Sequence, residues 1–120
     1  MWITIRTKRM SLSPRQRRTV EAFIRRTFQR ERKKIASCVI TFAPVTLSGG
    51  EAAFSCHLKL WSSFLGSVVV RDKADTIRSA VQASALRARH AARRQLHKRR
   101  SQSRRLGRHQ LSRWLTGLVE

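Results

Sequence analysis

The fold is decided by residues 38–61. There Cys38-Val39-Ile40-Thr41-Phe42-Ala43-Pro44 is followed by Ser48-Gly49-Gly50 and then by Phe54-Ser55-Cys56-His57-Leu58-Lys59-Leu60-Trp61. Cys38, Ile40 and Phe42 alternate with Val39, Thr41 and Ala43, and the second run alternates in the same way. A period of two predicts two strands, the first stopped near Pro44, each with one apolar and one more polar face. Gly49-Gly50 supplies the hairpin turn. Pairing about that turn puts Cys38 opposite Leu60, so Cys38 and Cys56 lie about four residues apart along the sheet, ~13 Å at ~3.3 Å per residue. They are expected to be reduced core thiols and not a disulfide.

Upstream, Trp2, Ile3, Thr4 and Ile5 open a first strand over residues 2–9, with Ile3 and Ile5 on one face. Ser13-Pro14-Arg15-Gln16 then carries three helix-start signals: Ser at the N-cap, Pro at the first helical position and Gln completing a capping box. Val20, Phe23, Ile24, Thr27, Phe28 and Ile35 form its apolar stripe, with Arg15, Arg18, Arg25, Arg26, Arg32 and Lys33 on the other sides. Downstream, Ser67 to Arg71 reads as a fourth strand and Asp72 to Asp75 as a polar connection. A second helix starts at Asp75 or Thr76, with a thin stripe of Ile77, Val81, Ser84, Ala85, Ala88 and Ala92. The order β-α-β-β-β-α predicts an α+β fold of one four-stranded sheet with two helices on one face, like a double-stranded-RNA-binding domain. Residues 1–100 form one domain. Residues 101–120 form a basic tail able to make a short helix with Leu111, Trp114, Leu115 and Leu118 on one face.

Charge sets the function class. In 120 residues there are 27 Lys+Arg against 6 Asp+Glu, a net charge of +21, and 21 of the basic residues are Arg. Arg predominates where phosphate is gripped in bidentate fashion or bases are stacked, so a polyanion is the expected partner. Between Asp75 and Glu120 there is no acidic residue, and the outer surface of helix two holds Arg87, Arg89, His90, Arg93, Arg94, His97, Lys98 and Arg100. This surface must find its counter-charge outside the chain. No apolar run approaches a secretory signal or a membrane span. The six acids are scattered, and no phosphate loop, nucleophile elbow or metal-ligand spacing occurs, so no enzyme, cofactor or small-molecule substrate is expected. His90 and His97 stand about 10 Å apart along a helix, too far to share a metal. Trp61 and His57 are expected to pack against the tail around Trp114 and Leu115, with base stacking as the alternative.

The element order, Leu12-Ser13-Pro14 and the segment Gly66-Ser67-Val68-Val69-Val70-Arg71-Asp72-Lys73-Ala74-Asp75-Thr76-Ile77-Arg78-Ser79-Ala80-Val81-Gln82 resemble the short form of the ribosome hibernation promoting factor family, also called ribosome-associated inhibitors. The resemblance covers about residues 1–100. Where that family reads D-x-Y-x-A-I-D, this chain has Thr76, Arg78, Ala80, Val81 and Gln82, which keeps the cap and the Ala-aliphatic pair but not the Tyr or the second Asp. The resemblance implies a cytoplasmic, monomeric, ribosome-associated translation inhibitor that binds rRNA of the small ribosomal subunit and occludes the mRNA and tRNA channel. It also implies rRNA phosphate contacts at Arg87, Arg94, Lys98 and Arg100. Arg89 and Arg93 beside them, and Arg25 and Arg26 on helix one, complete the expected RNA-binding set. The alternatives are a general double-stranded RNA or DNA binder, a ribosomal structural protein, and a membrane-surface protein anchored by its tail.

Overall fold

The computed structural model describes the backbone of residues 1–119 and the side chains of residues 1–98. The order is β1 (Trp2–Thr7), α1 (Pro14–Thr27), β2 (Ser37–Thr46), β3 (Ala52–Ser62), β4 (Gly66–Ala74) and α2 (Ile77–Val119). One sheet of order β1-β2-β3-β4 results, with β1 and β2 parallel and the other pairs antiparallel. The α+β order and the four-stranded sheet agree with the expectation from sequence.

The hairpin register is the expected one. Cys38 pairs with Leu60 and Phe42 with Cys56, and both cysteines are free and buried. The turn is a three-residue loop in which Gly50 N–H donates to Leu47 O (2.8 Å), Leu47 N–H donates to Glu51 O (2.9 Å) and Gly50 has φ +82°. A left-handed residue is needed at that third loop position, and glycine takes it without steric cost.

Pro44 does not stop β2, which runs on to Thr46. Lys8 N–H donates to Phe42 O (2.9 Å), so the next donor of the parallel ladder would be the N–H that Pro44 lacks. The proline therefore ends the pairing with β1, while the antiparallel pairing with β3 continues through Pro44 and Phe54. β1 accordingly closes at Thr7 and not at residue 9, and Arg9 turns the chain at φ +59°. β4 is longer than expected, because Asp72, Lys73 and Ala74 stay paired with Cys56, Ser55 and Phe54.

In α1, Ser13 Oγ accepts from Gln16 N–H (3.1 Å) and Gln16 Oε1 accepts from Ser13 N–H (2.9 Å), closing the capping box. The helix ends at Thr27, eight residues short of Ile35. Bonds between residues three apart, from Glu31 N–H to Phe28 O (3.1 Å) and from Lys34 N–H to Glu31 O (2.9 Å), tighten the next segment. These turns bring Phe28, Glu31 and Ile35 all inward. The second helix is capped by Thr76, whose Oγ1 accepts from Ser79 N–H (3.0 Å).

The core lies on one face of the sheet. Cys38, Ile40, Phe42, Cys56, Leu58, Leu60, Val68 and Val70 meet Val20, Ile24 and Phe28 from the α1 side and Ala80, Val81, Ala85, Ala88 and Ala92 from α2. The four alanines are fully buried, so α2 sits close against β3 and β4. Arg17 Nη1 donates to Ile5 O (3.2 Å) and ties α1 to β1. Residues 101–119 continue α2, and the apolar face expected from Leu111, Trp114, Leu115 and Leu118 lies outside the described side chains.

Candidate nucleic-acid interface

At 3.6 residues per turn, Arg87, Arg94 and Lys98 fall within about 40° of one another around α2, whereas Arg89 and Arg93 fall about 100° or more from that line. The structure separates these arginines further by their partners. Arg87 Nη1 donates to Asp72 Oδ1 (2.8 Å) and to Arg71 O (3.1 Å), which pins α2 to β4. Arg93 Nε donates to Glu31 Oε1 (2.7 Å), joining α2 to the turns after α1. Arg89 is half-buried, with its Nε shielded and lacking a partner among the described residues. Arg25 pairs with Glu21 at 3.0 Å, one helical turn away. Arg26, Arg94 and Lys98 are exposed and make no ion pair among the described residues. The side chain of Arg100 lies outside the described residues.

Of the expected set, then, Arg94, Lys98 and Arg26 have their charge available for an external anion, while Arg87, Arg93 and Arg25 share theirs with a carboxylate. Arg94, Arg87 and His90 line a shallow groove of about 570 Å³ between α2 and Val69 and Val70 of β4.

A second cationic surface was not foreseen. The sheet's open face, away from the helices, is arranged in rows by the strand register. Trp2, Ser37, Trp61 and Ser67 form the first row, and Thr4, Val39, Lys59 and Val69 the second. Arg6, Thr41, His57 and Arg71 form the third. Lys8, Ala43, Ser55 and Lys73 follow, around a depression of about 640 Å³. β1 and the residue after it supply Arg6 and Lys8, β3 supplies Lys59 and β4 supplies Arg71 and Lys73, the two pairs at alternate positions, while β2 between them carries no charge. Alternation was the available signal, but only the four-strand register gathers them.

His57 reports on this surface. Its Nε2 is shielded and has no hydrogen-bond partner among the described residues. Burial, followed by the charges of Arg71, Lys8 and Lys59, lowers its pKa below the ordinary 6.5, so it is neutral at pH 7. Trp61 is about half exposed, on the face opposite the helices; the tail side chains expected to cover it lie outside the described residues. The two cationic surfaces meet at the β4 edge, where Arg87 grips the backbone of Arg71.

Burial drives the Cys38 thiol up to about 12, and the Cys56 charge adds to the rise. Burial likewise lifts Cys56 to about 11, opposed by a hydrogen bond with Ser84 and aided by Asp72. Neither is a nucleophile at neutral pH. Among the described residues no three His, Cys, Asp or Glu side chains converge as metal ligands, and no helix is long and apolar enough to cross a membrane.

No family model matches this sequence, and no curated protein does. Among solved structures, the chain is similar to a ribosomal subunit interface protein from Coxiella burnetii. The TM-score is 0.58 at 20% identity, over 84% of this chain and 99% of that one. The fold is that of a ribosomal subunit interface protein. This likeness in fold agrees with the resemblance drawn from the element order and from residues 12–14 and 66–82.

Proposed function

We propose that this protein is a cytoplasmic ribosome-associated translation inhibitor that binds rRNA of the small subunit and occludes the mRNA and tRNA channel. The observation that carries this reading is the basic side of α2, where Arg94 and Lys98 are exposed and make no ion pair among the described residues, on a fold shared with a ribosomal subunit interface protein. Exposed guanidinium and ammonium groups displace counterions from phosphates, and a rigid α+β body presents them to structured RNA by shape. The protein contributes bulk and charge, not chemistry: a folded domain seated in a channel excludes whatever else must pass.

Arg94 and Lys98 are the residues to reverse, because neither supports the fold through an ion pair among the described residues. Arg94→Glu/Lys98→Glu should keep the wild-type circular dichroism spectrum and lose binding to 30S subunits. If such a folded variant binds 30S subunits like wild type, the contact lies elsewhere. A general duplex binder is the second reading, favoured by the same charge. It predicts equal affinity for free RNA duplex and for subunits.

A further inference from the structure

We infer that the open face of the sheet is a second nucleic-acid surface, one that takes single-stranded RNA by stacking its bases on Trp2 and Trp61. The inference stands apart from the ribosome reading, which rests on α2.

The face has an unusual composition for one left open to water. Trp2 is 82% exposed and Trp61 48% exposed, and they share a row with the small Ser37 between them. Two strand spacings separate their backbones, about 10 Å, and no large side chain stands between the two indoles in that row. The rows beyond carry Lys59, Arg6, Arg71, Lys8 and Lys73, and no carboxylate belongs to any of the four rows. Asp72 also lines the depression, but its carboxylate is held by Arg87. Aromatic platforms at one end and cations along the rest answer the two parts of a single strand, its unstacked bases and its phosphates. A duplex fits poorly, because its bases are already stacked and the indoles would gain nothing from it. A protein partner would have to bring carboxylates to meet at least five cations, and a second copy of this chain, at net charge +21, brings mostly more cations.

The test is fluorescence anisotropy of the full chain with a labelled eight-nucleotide oligo(U) RNA, beside a spacer phosphodiester with the same number of phosphates and no bases. Wild type should bind the RNA more tightly than the spacer. Trp2→Ala and Trp61→Ala should each weaken RNA binding by roughly fivefold to a hundredfold while leaving the spacer unchanged. Trp→Phe at each position should restore part of the loss. Arg94→Glu/Lys98→Glu should preserve the ratio of RNA to spacer affinity, which separates this surface from the helix face. If Trp61→Ala unfolds, the far more exposed Trp2 still decides the matter. Equal wild-type affinity for RNA and spacer, or unchanged RNA affinity in the alanine variants, would overturn the inference. So would alanine variants that shift a monomer–dimer equilibrium in sedimentation without changing RNA affinity, which would assign the face to a second copy.

Discussion

Arg93 and Arg94 are neighbours in sequence with opposite roles, and replacing each by alanine should separate them. Glu31 is 7% exposed, and its Oε1 accepts from Arg93 Nε at 2.7 Å while Oε2 has no partner among the described residues. Arg93→Ala leaves a shielded carboxylate without its counter-charge. Breaking a fully buried pair costs about 3–5 kcal/mol. The Arg93 side chain is 44% exposed, so water screens the pair and partly replaces the guanidinium, which brings the expected loss to about 2 kcal/mol. For a domain of this size that is a fall in Tm of roughly 8–16 °C, or about 1 M in the urea midpoint at a typical slope. Arg94→Ala should stay within about 0.5 kcal/mol of wild type, as exposed substitutions do. Adding Glu31→Gln to Arg93→Ala should recover much of the loss, since a neutral amide is cheaper to bury than a carboxylate. Urea titrations followed by circular dichroism measure all four proteins. Equal stabilities for Arg93→Ala and Arg94→Ala would refute the assignment of Arg93 to the fold.

Ser13→Ala opens the capping box and should cost about 1 kcal/mol by the same titration, with Gln16→Ala costing less. A thiol reagent at pH 8 should label neither Cys38 nor Cys56 in the folded protein and both in urea, because burial removes access and holds the thiols protonated; rapid labelling of native protein would contradict the packing. His57 gives a pH signature. Its folded pKa is lowered, so below 6.5 the unfolded chain binds the extra proton first and stability falls as pH drops through that value towards the folded pKa. His57→Gln should remove this share of the loss between pH 7 and 5. An unchanged acid slope in the variant would mean that His57 is better solvated than its surroundings suggest.

What was legible in the sequence was local. Ser13-Pro14-Arg15-Gln16 specifies its helix start by chemistry within four residues, and the Gly49-Gly50 turn fixes the Cys38–Leu60 register. Errors arose where a residue's effect depends on a distant neighbour. Pro44 breaks only the pairing on the side its nitrogen faces, and the sequence does not say which side that is. Ile35 continues the helical spacing of Phe28, yet it reaches the core through turns spaced by three. Among the expected site residues, Arg93 could not be told from Arg94, because its partner Glu31 is 62 residues away in the chain. The cationic sheet face was invisible for the same reason, since its charges are spread over stretches of chain more than fifty residues apart that only the strand register brings together.

The central claim is most directly tested by co-sedimentation of the purified protein with separated 30S, 50S and 70S particles and with a free RNA duplex, across a salt series. If about six phosphates are neutralised, affinity should fall roughly a thousandfold between 50 and 200 mM salt. The account predicts saturable one-to-one binding to 30S and 70S particles that outlasts duplex binding as salt rises. Equal, unsaturating uptake by every RNA, or binding that is flat in salt, would contradict it.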